Sequence, residues 1–219
     1  MVEIYDAHEQ GEIVKKWLRE NGSAIVMGLV IALGGLFGFK QWQNWQSNNR
    51  VEASVEYEVM TDLLDQGQID AAMGNYQNLH DEHAKSPYTS MAALSMARAR
   101  LGVNQPELAI GLYRFVMENG HPQALAIVAR ERLARVLLDQ GQPDEAMKVI
   151  EGASDVSGFE SRFAEVRGDI RFAQGRMDDA KAAYLEALSS LQEDVGDRAR
   201  LVMKLKSLGA EIPEDGIQS

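Results

Sequence analysis

The chain has no cysteine among its 219 residues. Disulfides and cysteine-based zinc or redox chemistry are therefore excluded, while the compartment stays open. It also lacks a basic excess: 22 lysines and arginines stand against 33 acids, for a net charge of −11. Nucleic-acid binders carry a basic patch or stripe, and none is visible, so no nucleic-acid partner is expected. No alternating strand pattern and no glycine-rich phosphate loop appears. No catalytic constellation of nucleophile, base and orienting group is present. The paired carboxylates lie at helix starts, where negative charge is favoured. The chain reads as non-enzymatic, with no cofactor. The one candidate for metal chemistry is His80-Asp81-Glu82-His83, whose histidines share a helix face at i and i+3. A third converging ligand is not signalled, so this segment reads as a surface helix end, with no metal expected.

One absence is local. From Asn21 to Phe39 no residue is charged. As a helix this run spans roughly 28 Å, close to the ~30 Å of a bilayer's hydrocarbon. Trp17 precedes it and Trp42 and Trp45 follow, all suited to the lipid headgroup zone, and Lys40 can extend outward. A buried soluble helix usually shows an amphipathic stripe, and a cleavable signal peptide has a shorter apolar run. The segment is expected to be an uncleaved transmembrane anchor in contact with membrane lipid. Lys15, Lys16 and Arg19 cluster before it, against Lys40 and Arg50 after it. This places the N-terminus in the cytoplasm and the remainder across the membrane, a single-pass type II topology. Residues 1–39 carry five acids and three bases, a net of −2, which leaves −9 for the rest. Ala24, Gly28, Ala32 and Gly35 share one face of the span, and Gly34 and Gly38 add a small-xxx-small pair. Such a face suits close approach by another helix; glycine is also simply common in membrane helices.

Downstream, a signature recurs: Gly67-Gln68-Ile69-Asp70-Ala71-Ala72, then Gly141-Gln142-Pro143-Asp144-Glu145-Ala146, then Gly175-Arg176-Met177-Asp178-Asp179-Ala180. Asn104-Gln105-Pro106-Glu107-Leu108-Ala109 is a degenerate copy. The turn residues are separated by 37, 37 and 34 residues. The last spacing is the tetratricopeptide period. The Gly or Asn suits a left-handed helix end, and the acid three residues later suits the cap or first turn of the next helix. Ala72, Ala109, Ala146 and Ala180 are each followed four residues on by Tyr76, Tyr113, Ile150 or Tyr184, which marks a buried face. Ala97, Ala134 and Gly168 each lie seven residues before a turn residue.

The expected fold is all-α. Residues 1–20 form a short cytoplasmic amphipathic segment, 21–39 the membrane helix and 40–50 an interfacial linker. Residues 51–208 form a solenoid of about four helix-turn-helix repeats plus a capping helix over 197–208. Residues 209–219 form a polar tail. The first helix of each repeat is expected to line a concave groove. Met91, Leu94, Arg98 and Leu101 line it in one repeat. Glu131, Arg135 and Leu138 follow in the next, and Arg162, Glu165, Asp169 and Phe172 in the last. Such a lining suits an extended peptide or a partner helix; Leu94, Leu101, Leu138 and Phe172 also suit interior packing.

Markers spread along the chain resemble the YfgM family, ancillary subunits of the SecYEG translocon. They are Glu3-Ile4-Tyr5, the Val14-Lys15-Lys16-Trp17 stretch, Glu20-Asn21-Gly22 and the glycine-rich span ending Gly38-Phe39-Lys40-Gln41-Trp42. Leu133-Ala134-Arg135-Val136 and Arg167-Gly168-Asp169 extend the resemblance into the repeats. It implies a bacterial inner-membrane protein with a periplasmic repeat domain. The implied partners are the translocon channel, a membrane-anchored prolyl-isomerase-type chaperone (PpiD-like) and unfolded secretory polypeptides. The implied role is helping transfer those polypeptides to the periplasmic chaperone network, with no catalytic residues. The alternative reading is a membrane-anchored scaffold for cell-envelope or division assembly.

Overall fold

A computed structural model describes residues 7–191 and 195–210, excepting the side chains at 7–10, 13–14, 45–46 and 195–196. The Glu3-Ile4-Tyr5 marker and residues 211–219 of the polar tail lie outside that range. Every regular element described is an α-helix: α1 (Ala7–Asp65), α2 (Ile69–Glu82), α3 (Pro87–Gly102), α4 (Pro106–Asn119), α5 (Gln123–Asp139), α6 (Pro143–Glu151), α7 (Glu160–Ala173), α8 (Met177–Ser189) and α9 (Val195–Ser207). The chain divides into two units, 1–52 and 53–219.

In the first unit the described backbone is helical from Ala7 onward, with residues 40–50 helical as well. Its apolar stretch has a mean hydropathy of 2.1, and no part of that stretch is buried by protein. Ile25, Leu29, Leu33, Leu36 and Phe37 are all exposed, Phe37 by 74%. The helix is long and apolar enough to cross a membrane. A soluble core helix would have protein over those side chains. Ala24, Gly28, Ala32, Gly35 and Gly38 are likewise exposed, and a β-carbon on Gly28, Gly35 or Gly38 would meet nothing within 4 Å.

The second unit is a row of helix pairs. Residues 53–65 of α1 precede α2, and α3/α4, α5/α6 and α7/α8 follow. We refer to the first helix of each pair as the A helix and the second as the B helix. Each A helix ends the same way. Gly67, Asn104, Gly141 and Gly175 have φ of +74°, +56°, +70° and +75°. The residue after each donates its N–H back five positions: Gln68 to Leu63, Gln105 to Arg100, Gln142 to Leu137 and Arg176 to Arg171, at 2.8–2.9 Å. This is the Schellman closure, which satisfies carbonyls that the helix end orphans. Only glycine adopts that backbone without strain, and asparagine is the usual substitute. The B helices then start on Gln68, Gln105, Gln142 and Arg176 without side-chain caps, so their acids act from the first turn.

The packing follows the repeat. Tyr76, Tyr113, Ile150 and Tyr184 on the B helices are all at least 93% buried. Sixteen residues before each stands Met60, Ala97, Ala134 or Gly168, and the first three are fully buried. One apolar core runs from Ala53 to Ile170; a second joins Ala164, Ala180, Tyr184 and Ala187 to Leu201 and Leu205 of α9. α9 ends like an A helix. Gly209 lies 34 residues after Gly175, has φ of +64°, and is followed by an Ala210 N–H donating to the Leu205 carbonyl at 3.1 Å. Gly209 and Ala210, placed in a polar tail by the sequence, thus close the last described helix.

Candidate interaction site

Two adjoining clefts open along the A helices of the second unit. One, of about 340 Å³, is lined by Thr61, Leu64 and Asp65 of α1 and by Ser95, Arg98 and Ala99 of α3. The other, of about 450 Å³, is lined by Leu94, Ser95 and Arg98 of α3, Tyr113 of α4 and Arg132 of α5. Both fall in the size range of ligand pockets, roughly 300–1,000 Å³. Arg98 and Arg132 are exposed, and neither forms an ion pair among the described residues. Burial pushes the Tyr113 phenol upward and the Glu131 charge adds to it, while the charge and hydrogen bond of Arg132 and the Arg98 charge pull the other way. The larger cleft therefore has an apolar wall at Leu94 and two guanidiniums around one hydroxyl.

The neighbouring A helices behave differently. Glu165 on α7 is 1% exposed yet charged. Arg200 of α9 grips it through two bonds, Nε to Oε1 at 2.7 Å and a terminal nitrogen to Oε2 at 2.8 Å. Lys204 donates to Glu165 at 2.7 Å and to Asp169 at 2.6 Å. Arg135 of α5 pairs with Glu131 and reaches Glu165 and Asp169 at 3.4 Å each. Tyr184 of α8 donates its hydroxyl proton to Asp169 at 2.8 Å. Four helices meet in one network. Burial would raise the Glu165 carboxyl, but its hydrogen bonds from Arg200 and Lys204 and the surrounding charges bring it down to about 2. Glu165, first through its hydrogen bond, and then Asp197 raise the Arg200 guanidinium. Burial, followed by the bond to Asp169, raises the Tyr184 phenol.

This architecture of repeated helix pairs has relatives. The family model of the tetratricopeptide repeat-like domain matches residues 15–210. A protein of Aggregatibacter actinomycetemcomitans described as an ancillary SecYEG translocon subunit is 30% identical, over 88% of this chain and 92% of its own. The chain belongs to the ancillary SecYEG translocon subunit family. Members bearing the same description in Haemophilus influenzae and Escherichia coli are 27% and 26% identical. Those matches cover 93% and 94% of this chain, and 99% and 97% of the relatives.

Within this member of the translocon-subunit family, the residues expected along the groove divide into four groups. Leu94, 7% exposed, and Arg98 line the open cleft. Glu131, Arg135, Glu165 and Asp169 are brought together in the ionic network, where they already have partners. Leu101 and Leu138 pack against the core, while Met91, Arg162 and Phe172 are exposed outside both clefts. His80 bonds Asp81 at 3.0 Å and its ring lies tilted against Phe115, and no group of metal-ligating side chains forms among the described residues. Ser95 and Arg132, one step along each helix from Leu94 and Glu131, escaped the sequence reading. They occupy equivalent repeat positions, 37 residues apart, so a wider stripe would have included them. Arg200 and Lys204 escaped because nothing local ties α9 to α7.

Proposed function

We propose that this chain is a non-enzymatic ancillary subunit of the Sec translocon, anchored in the bacterial inner membrane. Its membrane helix spans residues 21–39 with the N-terminus cytoplasmic, and its repeat domain lies in the periplasm. There the domain binds the channel and a prolyl-isomerase-type membrane chaperone, and helps pass secreted polypeptides to periplasmic chaperones. The observation that carries this reading is the nearly end-to-end similarity to proteins described as ancillary SecYEG translocon subunits. The apolar helix and the helical-pair array supply the anchor and the binding surface such a role needs.

Mild crosslinking in native membranes is expected to recover channel subunits and the chaperone; recovery of neither would reject the assignment. Protease treatment of spheroplasts is expected to degrade the repeat domain. Protection of that domain until the membrane is opened would invert the topology.

A further inference from the structure

We propose that the cleft between α3 and α5 binds an acidic side chain of an extended polypeptide segment, the carboxylate seated between Arg98 and Arg132. This rests on the reading of the repeat domain as a polypeptide-binding surface and specifies what that surface selects.

The chain carries an internal comparison. Arg98 and Arg135 occupy the same position in successive A helices, 37 residues apart. Arg135 meets carboxylates from its own helix and the next: Glu131, Glu165 and Asp169. Arg98 has no such partner among the described residues. The residue on α5 that corresponds to Asp169 is Arg135 itself, and Glu131 is already held by Arg135. The position corresponding to Glu131 on α3 is Leu94, which is apolar and buried. So at the α5/α7 step the array supplies its own acids, and at the α3/α5 step it supplies guanidiniums and a cleft of about 450 Å³.

Charge selects the occupant. Residues 40–219 carry a net −9, yet the described lining of this cleft has two cations and no carboxylate, the nearby Glu131 being paired with Arg135. An acidic group is complementary to it, and a basic one is repelled. Guanidiniums also bond carboxylates with two aligned N–H groups, as Arg200 does with Glu165. Leu94 beside them accepts an apolar neighbour of the acid. Asp65 in the adjoining cleft, which Arg98 also lines, disfavours a second acid there.

The test uses the full chain in nanodiscs of zwitterionic lipid, with empty nanodiscs as blank. The probe is a short fluorescent, C-terminally amidated peptide with aspartates between leucines; its twin carries asparagines. Anisotropy is expected to show the aspartate peptide binding at least about tenfold more tightly, the value of losing a charged hydrogen-bond pair. The preference is expected to vanish in R98Q and in R132Q, both exposed positions, and to persist in R162Q, outside the cleft. Equal binding of the two peptides to the unaltered chain would overturn the acidic selectivity while leaving polypeptide binding intact. Binding of neither would overturn both. A preference retained in R98Q would also overturn the proposal, as would a change in oligomeric state in R98Q without any peptide preference, which would make a second copy the occupant.

Discussion

The ring of Tyr184 fills the space that a β-carbon on Gly168 would need. That closeness lets the Tyr184 hydroxyl reach Asp169, one residue along α7. In the two preceding repeats the corresponding pairs are Ala97 with Tyr113 and Ala134 with Ile150, which leave room for a methyl. Introducing G168A is expected to destabilise the domain by about 1–3 kcal/mol, the usual cost of overpacking. Urea unfolding measures it. Combined with Y184A the losses should fall short of their sum, because removing the ring removes the clash.

The attachment of α9 depends on Glu165. Replacing it by glutamine leaves Arg200 and Lys204 without their central anion. A loss of about 3 kcal/mol is expected, in the range for breaking a buried ionic network. Hydrogen exchange should show the amides of α9 opening first, with α3 and α4 unchanged. Equal acceleration across the whole domain would mean that α9 is held by Leu201 and Leu205 instead.

Acid should weaken the same contact. The Glu165 carboxyl sits at about 2 when folded, against an ordinary value of 4.5. A depressed carboxyl contributes stability that is complete above its unfolded value and fades as pH falls toward its folded one. The contribution is on the order of 3 kcal/mol and is lost between about pH 5 and pH 2. Melting temperatures of the unaltered chain and E165Q, compared across this window, should converge as pH falls. A constant gap would show that the charge on Glu165 is not what stabilises.

The helix ends make a paired prediction. Gly141 has φ of +70°, so G141A is expected to cost about 1 kcal/mol or somewhat more. Asn104 holds a similar angle, +56°, without being glycine. There N104G is expected to be neutral or to stabilise by less than 1 kcal/mol, relief of backbone strain offsetting the added freedom of the unfolded chain. Thermal melts of both variants against the unaltered chain give the two signs.

Features that depend on a residue's own backbone, or on a neighbour at fixed helical spacing, were readable in the sequence. Gly67, Asn104, Gly141 and Gly175 announced helix ends because a left-handed angle restricts residue type. Tyr76, Tyr113, Ile150 and Tyr184 announced the buried B-helix face because each follows a small residue by one turn. The ionic network could not be read that way. Apart from Arg135 with Glu131, its bonds join residues 15 to 39 positions apart, such as Tyr184 with Asp169 and Lys204 with Glu165. Helical periodicity placed Glu131, Arg135, Glu165 and Asp169 on one surface, but it carries no information on which acids meet which bases across helices. The distinction between a closed step at Arg135 and an open one at Arg98 appears only when α5, α7 and α9 are set side by side.

The unlike attachments of the helices have a consequence for how the array comes apart. Ala97 and Ala134 are held by contacts that dissolved ions do not compete for. Arg200 is 47% exposed and Lys204 26%, so salt in the surroundings reaches both cations, Arg200 more readily. Raising ionic strength should therefore loosen the far end of the domain while leaving its middle firm. Detachment would start at one end and run inward, giving the domain a direction of failure that a row of helix pairs does not by itself possess.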